Sequence, residues 1–313
     1  MSADGGVMAD SSSQRRCGFV ALVGAPNAGK STLINYLVGS KISIVTPKVQ
    51  TTRTRIIGIA IRGDSQLIFV DTPGIFVPRR QLDRAMVAAA WAGAHNADLV
   101  VHIVDAAAMS PGTIDDDSRR IIDGLRDAGR QAQLALNKVD LVKPQTLLGN
   151  AEALNREGIY SETFMISALT GDGVDDLAAF VADTVPVGPW LYPEDQIADV
   201  PMRLLAAEIT REKIFMELHH ELPYAATVET ETWTEQKDGS VRIDQVVYVQ
   251  RDSQKPIVLG KGGRQIKKIG EQARLELETA LEQRVHLFLF VKVRKKWAED
   301  PERYREMGLD FSE

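Results

Sequence analysis

The first half of the chain alternates short apolar runs with longer amphipathic stretches. The apolar runs predict strands over 18–23, 55–62, 66–71, 98–104, 132–137 and 163–166. The stretches between them predict helices over 30–38, 82–93, 114–128, 145–155 and 174–183. This alternation is typical of a mostly parallel sheet that is covered by helices on both faces. We therefore predict an α/β domain over residues 17–184.

The pattern changes after residues 185–201, a proline-rich segment that we interpret as a linker. The following elements are predicted in the order helix, two strands, two helices and a strand, over 202–219, 225–234, 241–250, 254–259, 264–283 and 285–294. This order predicts a second, smaller α+β domain over 202–313. Residues 1–16 are rich in Ser, Ala, Asp and Gly and lack an apolar run, which predicts a disordered leader.

Composition and charge narrow the function classes. A net charge of −6 argues against a protein that coats nucleic acid over its whole surface. Residues 255–296, however, contain 11 Lys and Arg against 4 Asp and Glu, which indicates a local anionic partner. The single cysteine, Cys17, excludes an internal disulfide and fits a reducing, cytoplasmic compartment. No apolar run is long enough to predict a membrane-spanning helix.

A phosphate-binding motif lies between the first predicted strand and the first predicted helix. It fits the pattern G-x-x-x-x-G-K-[ST] and comprises Gly24, Ala25, Pro26, Asn27, Ala28, Gly29, Lys30 and Ser31. The glycines allow backbone N–H groups to surround phosphate oxygens at the positive end of a helix. We expect the Lys30 ammonium at the β- and γ-phosphates and the Ser31 hydroxyl on Mg²⁺.

Two further motifs follow strands of the predicted sheet. Asp71, Thr72, Pro73 and Gly74 form a D-x-x-G motif, in which Asp71 is expected to hold Mg²⁺ and the Gly74 N–H to sense the γ-phosphate. Asn137, Lys138 and Asp140 form an N-K-x-D motif, whose Asp140 carboxylate can accept from both N1–H and N2–H₂ of guanine. Ser167 and Ala168 are expected to supply a backbone donor to guanine O6. All of these motifs end strands at the edge where open α/β sheets bind ligands, so we predict a guanine nucleotide pocket there.

The polar, threonine-rich residues 40–55, here called the switch segment, separate the first helix from the second strand. We predict Thr52 as a Mg²⁺ ligand that engages only when the γ-phosphate is present, with Thr51 as the alternative. The alternative interpretation is a solvated loop in which the threonines only favour turns. Ile75, directly after Gly74, is predicted with the D-x-x-G motif to bind the nucleotide. It occupies the position of the water-orienting glutamine in Ras-type GTPases. The Asn27 amide could bind K⁺ beside the phosphates, or could simply satisfy the loop backbone.

A second glycine motif lies in the basic part of the chain, between two predicted helices. A G-x-x-G loop allows a sugar–phosphate backbone to approach closely, as in KH modules that clamp four nucleotides of single strand. The predicted RNA-binding residues are Ile257, Gly260, Lys261, Gly262, Gly263, Arg264, Lys267 and Lys268, with Val258 and Ile266 in the groove floor. A solvated basic turn is the alternative. Trp297, beside Lys295 and Lys296, is either an RNA contact or part of a solvated strand end.

From Cys17 onward, the chain resembles the Era family of bacterial ribosome-associated GTPases. The resemblance rests on GAPNAGKST (24–32), QTTRTR (50–55), DTPGI (71–75), NKVD (137–140), SAL (167–169), REKI (211–214), ELPYAATVE (221–229), VLGKGGRQIKKIG (258–270) and VKVRKKWAED (291–300). It implies a P-loop GTPase domain followed by a type II KH domain, and a hydrophobic residue in place of the catalytic glutamine. It further implies binding near the 3′ end of small-subunit ribosomal RNA, a role in small-subunit assembly, and a loose association with the inner face of the membrane.

The residues and the resemblance together predict an enzyme that hydrolyses GTP to GDP and phosphate with Mg²⁺. The predicted partners are GTP, GDP, small-subunit ribosomal RNA and the small ribosomal subunit, and no obligate protein partner is evident. Two alternatives stay open at this point. One is an RNA-modification GTPase, which would need a further catalytic or cofactor site. The other is a GTP-regulated scaffold whose basic surface meets anionic lipid or an acidic protein.

Overall fold

A computed structural model describes residues 14–48, 51–54, 56–295, 297, 300–307 and 309. The strands of the first domain are Arg16–Gly24 (β1), Ile56–Arg62 (β2), Ser65–Asp71 (β3), Leu99–Asp105 (β4), Ala132–Asn137 (β5) and Tyr160–Met165 (β6). They form one sheet in the order β2-β3-β1-β4-β5-β6. The β2–β3 pair is antiparallel and the other pairs are parallel, which confirms the predicted mostly parallel sheet.

Helices cover both faces of this sheet. Their bounds are Lys30–Val38 (α1), Gln81–Asn96 (α2), Asp116–Asp127 (α3), Pro144–Asn155 (α4) and Val174–Thr184 (α5). Successive residues of β1 enter opposite cores: Val20 and Leu22 pack on one face, and Ala21 and Val23 on the other. Both faces of the central strand are therefore buried, as a parallel sheet requires. The carboxyl ends of β1, β3 and β5 meet at the same edge of the sheet, where the predicted motifs lie.

The proline-rich linker runs along the edge of this sheet. The Ile59 N–H donates to the carbonyl of Ile197 (2.8 Å), and the Asp199 N–H donates to the carbonyl of Ile57 (3.0 Å). The side-chain amide of Gln66 donates to the carbonyl of Tyr192 at 2.8 Å. The first two bonds satisfy backbone groups of edge strand β2, and all three hold the linker against the first domain.

The second domain contains a small sheet and several helices. Its helices are Met202–Glu217 (α6), Lys255–Leu259 (α7), Arg264–Leu281 (α8) and Pro301–Glu306 (α9), and its strands are Ala226–Glu235 (β7), Val241–Val249 (β8) and Val285–Val293 (β9). The sheet order is β7-β8-β9, with an antiparallel β7–β8 pair and a parallel β8–β9 pair. The α-β-β-α-α-β order confirms the predicted type II KH fold, whereas the sequence did not predict α9.

Residues 1–13 of the predicted leader lie outside the described residues, and β1 begins at Arg16, one residue before the predicted start of the first domain. Cys17 is buried, and this burial raises the pKa of its thiol, as expected of a packed core cysteine. Among the described helices, none has both the length and the apolar character that crossing a membrane requires. We keep 17–184, 185–201 and 202–313 as proposed domain and linker bounds.

Candidate functional site

A cavity of about 400 Å³ lies at the carboxyl edge of the large sheet. Its walls come from the phosphate loop, the switch segment and the N-K-x-D and Ser-Ala motifs. The predicted residues that line it are Pro26, Asn27, Gly29, Lys30, Ser31, Thr52, Gly74, Asn137, Lys138, Asp140, Ser167 and Ala168. Motifs that are up to about 140 residues apart in sequence therefore contribute to one pocket of the size that small ligands occupy.

The phosphate loop is shaped by left-handed backbone and a buried lysine. Gly29 has φ 101°, and a Cβ there would lie 2.1 Å from Nδ2 of Asn137, so only glycine fits. The Lys30 ammonium donates to the carbonyls of Gly24 (3.0 Å) and Ala25 (2.8 Å). Burial lowers the pKa of Lys30 to about 8, although the Asp71 carboxylate opposes this shift. A phosphate at this position would stabilise the charged lysine more strongly than neutral carbonyls do.

Ser31, Thr52 and Asp71 meet at one corner of the pocket. The Ser31 hydroxyl lies 2.9 Å from both the Thr52 hydroxyl and Oδ2 of Asp71. The Ser43 hydroxyl also donates to Oδ2 of Asp71, at 2.8 Å. Burial raises the pKa of Asp71, and its Oδ1 is buried without a hydrogen-bond partner. An orphaned carboxylate oxygen beside two hydroxyls fits a hard cation such as Mg²⁺, which also keeps waters and phosphate oxygens as ligands.

The two candidate threonines of the switch segment differ in what they contact. The Thr51 hydroxyl lies 2.6 Å from the Thr46 hydroxyl and donates to the carbonyl of Lys48 at 2.7 Å. These contacts hold the switch segment itself together. Thr52, in contrast, directs its hydroxyl at Ser31. The geometry therefore favours Thr52 over Thr51 as the magnesium ligand.

The base-binding side differs from expectation in one respect. Asn137 donates to the carbonyl of Ala28 (2.8 Å), and its Oδ1 accepts from the Ala168 N–H (2.9 Å). Asn137 thus connects the phosphate loop to the Ser-Ala motif. The Ala168 N–H donates to Asn137 in this arrangement and not, as we had expected, to guanine O6. Asp140 is exposed on the pocket wall, where its carboxylate can reach a ligand.

Two apolar side chains at the pocket mouth complete this side. Leu169 is 79% exposed and Leu141 is 68% exposed, and both line the cavity. Exposed leucines at a pocket mouth are suited to cover the face of a planar base. We did not assign them a role from the sequence, because a lone leucine after a polar motif carries no chemical signal. Leu141 follows Asp140 in the sequence, whereas the location of Leu169 at the same pocket is apparent only in the fold.

Several predicted residues lie behind the pocket wall instead of lining it, namely Gly24, Ala25, Ala28, Asp71, Thr72, Pro73 and Ile75. Gly24, Ala25 and Ala28 contribute carbonyls to the contacts above, and the Thr72 hydroxyl donates to the carbonyl of Leu22. Ile75 is fully buried in the core, so its side chain does not contact a ligand in this arrangement. Its predicted place among the nucleotide-contacting side chains is wrong for that reason.

The predicted RNA loop joins α7 to α8. Gly260, Gly262 and Gly263 all have positive φ, at 71°, 63° and 76°. A side chain at any of the three would be strained, and at Gly262 and Gly263 the space outside the loop is open. Gly263 also forms the N-cap of α8, whose first N–H groups face this opening.

The side chains around this loop fall into two groups. Lys261, Arg264, Lys267 and Lys268 are exposed, and Ile257 is 58% exposed, as an open binding surface requires. Val258, in contrast, is fully buried in the core of the second domain, so its predicted place in the groove floor is wrong. Ile266 is partly buried against the same core. On a five-residue helix, neighbouring side chains point to different sides, so Ile257 is exposed although Val258 beside it is buried.

Glu217, at the end of α6, anchors the start of α8. Its carboxylate lies 2.7 Å from the Lys268 ammonium and accepts from Gln272 at 3.0 Å and from Gln265 at 3.4 Å. The Lys268 hydrogen bond is the main reason that the pKa of Glu217 lies below its usual value. Since Gln265 is two residues from Gly263, this contact fixes the position of the RNA loop relative to α6.

The switch segment is bound to the second domain by buried charges. Glu212 on α6 is 1% exposed, and its carboxylate accepts from the Lys41 ammonium (2.7 Å) and the Val45 N–H (2.8 Å). Lys41 also pairs with Glu276 on α8, and Lys213 bridges the same two glutamates. A buried carboxylate with so many donors is satisfied, and removing one of these donors would leave part of its charge unpaired.

The D-x-x-G side of the pocket also packs on the second domain. Phe76, Leu82 and Met86 form an apolar cluster with Trp297 and Tyr304 from the C-terminal segment. Trp297 is 1% exposed and donates to the carbonyl of Ala225 at 3.0 Å. Neither interpretation of Trp297 from the sequence holds, because this residue belongs to the contact between the domains. Lys296 lies outside the described residues.

Comparisons with known proteins agree with this arrangement. Residues 19–138 match the family described as 50S ribosome-binding GTPase, and residues 221–298 match the KH domain family. GTPase Era of Brucella suis biovar 1 (strain 1330) is 60% identical over 298 residues, or 95% of this chain and 94% of that protein. GTPase Era of Rhizobium meliloti (strain 1021) is 61% identical over 296 residues, or 95% of this chain and 93% of that protein.

Solved structures give the same result. An Aquifex aeolicus Era variant bound to GDP·AlF4⁻ matches with a TM-score of 0.87 at 36% identity, covering 94% of this chain and 99% of that one. Era in complex with MgGDPNP and nucleotides 1506–1542 of 16S ribosomal RNA matches with the same TM-score, identity and coverage. With both domains and nearly the whole length in common, the chain belongs to the Era family of GTPases.

Proposed function

We propose that this GTPase is a nucleotide-controlled clamp for the 3′ end of small-subunit ribosomal RNA and acts in assembly of that subunit. One observation carries the proposal. Helix α6 contacts the switch segment through Arg211 and Glu212, and it contacts the start of α8, the helix that follows the RNA loop, through Glu217. A single rigid element therefore touches both the part that responds to a γ-phosphate and the part that meets RNA.

In the nucleotide site, we assign the phosphates to the loop of Gly24–Ser31 and the magnesium ion to Ser31, Thr52 and Asp71. Gly74 is assigned to the γ-phosphate, and Asp140 to the guanine edge. Mg²⁺ held by these residues would offset the negative charge that develops on the phosphates during hydrolysis. The Lys30 ammonium contributes charge to the same phosphates. Because Ile75 is apolar and buried, the attacking water cannot be oriented by a side chain at that position.

Asn27 is a candidate ligand for K⁺. It has a left-handed backbone (φ 63°), and its Nδ2 donates to the carbonyl of Pro47 in the switch segment at 3.0 Å. This hydrogen bond leaves Oδ1 for a cation near the phosphates. We expect native GTP turnover to be faster in K⁺ than in Na⁺, and Asn27→Ala to remove the difference. Equal rates for the native protein in both salts would exclude this role.

In the RNA site, the backbone of Gly260–Gly263 would accept the sugar–phosphate chain, with charge from Lys261, Arg264, Lys267 and Lys268. A base would pack on Ile257. The choice of RNA follows the Era structure that contains nucleotides 1506–1542 of 16S ribosomal RNA, which belongs to the small subunit. The matched family description names the large subunit, but this broad family covers only the first domain.

Membership of the Era family and the KH domain favour this function over the scaffold and RNA-modification alternatives. Among the described residues, no cluster of His, Cys, Asp and Glu could hold a further metal ion. We place the protein in the cytoplasm because its relatives of about 60% identity are Era GTPases and because its lone cysteine is a free thiol. Contact with the inner face of the membrane stays a prediction from the resemblance.

Substitution of one loop glycine tests the RNA site. Gly263→Asp places a negative charge where phosphate would bind, so affinity for a pyrimidine-rich single strand should fall by about tenfold or more. Gly239→Asp is a matched control, because Gly239 also has positive φ (79°) and open space but lies in the β7–β8 turn. Both variants carry similar backbone strain. Equal affinities for the native protein and Gly263→Asp would favour the scaffold alternative.

A further inference from the structure

The second domain holds the switch segment on both sides of Thr52. On one side, Nη2 of Arg211 donates to the carbonyl of Thr51. On the other side, Nη1 of Arg53 donates to the carbonyl of Ala226 at 2.9 Å, and its Nη2 donates to that of Tyr224 at 3.1 Å. The residues before and after the candidate magnesium ligand are therefore both fixed by contacts that the first domain does not supply.

Arg211 is itself held in a defined orientation. Its Nε donates to Oε1 of Glu208 at 2.7 Å, and Nη2 contacts the other carboxylate oxygen as well as the Thr51 carbonyl. The guanidinium lies over the ring of Phe215 at 5.2 Å, and the side chain is 1% exposed. Its planar fork is thus oriented by a carboxylate and an aromatic ring, which a lysine ammonium cannot reproduce.

The other end of this arrangement reaches the magnesium corner. Thr52, adjacent to Thr51, directs its hydroxyl at Ser31, which in turn contacts Asp71. Displacing the Thr51 carbonyl would move the Thr52 backbone and with it the hydroxyl. On the basis of the proposed function, we infer that Arg211 is the positioning residue for Thr52, so that the RNA-binding domain completes the magnesium site of the GTPase domain.

The contact between Arg211 and the Thr51 carbonyl affects the two nucleotide states differently. In switch proteins the segment that carries this threonine is ordered by contacts with the γ-phosphate and Mg²⁺ and is released after hydrolysis. Arg211 therefore supports the triphosphate state and contributes little to the diphosphate state. Because binding linkage is reciprocal, RNA that shifts α6 must alter triphosphate affinity by the same factor by which triphosphate alters RNA affinity.

The test uses the full chain and the paired substitution Glu208→Gln/Arg211→Met, which removes the cation without leaving a buried carboxylate unpaired. We expect affinity for a non-hydrolysable GTP analogue with Mg²⁺ to fall by about tenfold and GDP affinity to change by less than about twofold. Arg211→Lys should restore only part of the loss. Amide hydrogen exchange over residues 51–54, measured without nucleotide, should become faster in the paired variant.

A double-mutant cycle identifies the route of the effect. Thr52→Ala alone should lower analogue affinity, and adding the paired substitution to it should cause no further loss, because Arg211 acts through Thr52. Arg303→Met is the control for loss of a buried arginine, since Arg303 is 4% exposed and contacts Glu229, Asp300 and the ring of Tyr248 within the second domain. It should leave the ratio of analogue to GDP affinity unchanged.

Two results would overturn the inference. One is an equal loss of analogue and GDP affinity in the paired variant, which indicates general damage to the fold. The other is a full further loss in the Thr52→Ala background. Failure of the native protein to bind any guanine nucleotide would instead contradict the proposed function, so the two failures are distinguishable.

Discussion

The nucleotide pocket and the RNA loop both use glycine-lined backbone to approach phosphate, yet they are built in opposite ways. In the pocket, Lys30 and Asp71 are buried, and hydroxyls meet the carboxylate at 2.8–2.9 Å. Around the RNA loop, the cations are exposed and the space beside Gly262 and Gly263 is open. Buried polar groups lose much free energy when a partner is missing, whereas exposed charges lose little. The pocket is therefore suited to discriminate between ligands, and the loop to hold a backbone of any sequence.

The largest change in ligand affinity should follow substitution of the carboxylate that we assign to the base. In Asp140→Asn, GTP affinity should fall by at least about 100-fold, because the amide cannot accept from both N1–H and N2–H₂ of guanine. Affinity for xanthosine triphosphate should rise, since its ring has a carbonyl in place of the amino group. Competition binding with GTP, xanthosine triphosphate and ATP measures both changes. Asp127→Asn, an exposed carboxylate on α3, serves as control. GTP affinity within threefold of native would show that Asp140 does not bind the base.

An intermediate effect is expected at the magnesium corner, where two serines contact the same carboxylate oxygen. Ser31→Ala should weaken GTP binding by roughly 10- to 100-fold when Mg²⁺ is present and by much less when it is chelated. Ser43→Ala is the matched comparison, because Ser43 bonds to Oδ2 of Asp71 but does not line the pocket. Its effect should be several-fold smaller. Equal effects of the two substitutions would mean that Ser31 acts only through Asp71.

The smallest effect should occur at the RNA loop. Among the described residues, Lys267 has no ion-pair partner, whereas Lys268 pairs with Glu217 at 2.7 Å. Lys267→Ala should lower RNA affinity by about threefold to tenfold and reduce the slope of log affinity against log salt by about 0.7. Lys268→Ala should change that slope less, because its charge is already partly neutralised. A salt titration of both variants tests the difference. An unchanged slope for Lys267→Ala would show that Lys267 does not contact phosphate.

The sequence predicts both sites because each motif that contributes to them is a local structure. The phosphate loop lies between a strand and the helix that follows it, and the glycines of the RNA loop are within a few residues of the helix they precede. The predictions that were wrong concern residues whose burial depends on the fold around them. Val258 and Ile75 lie in cores, and Trp297 lies between the domains. Nothing in the local pattern distinguishes these positions from exposed ones.

The contact between the domains could not be predicted for a related reason. Helix α6 contains Glu208, Arg211, Glu212 and Lys213, a charge pattern typical of a solvated helix face, yet all four are buried. Their partners lie far away in sequence: Arg211 reaches Thr51 across 160 positions and Glu212 reaches Lys41 across 171. Only the folded chain brings these charges together, and a single sequence gives no sign that they pair.

The most direct test of the account is the affinity of the full chain for a single-stranded RNA that corresponds to the 3′ end of small-subunit ribosomal RNA. It should be measured once with a non-hydrolysable GTP analogue and Mg²⁺ and once with GDP. If α6 couples the switch segment to the RNA loop, the analogue state should bind RNA more tightly by about fivefold or more. Equal affinities in the two nucleotide states would contradict the coupling.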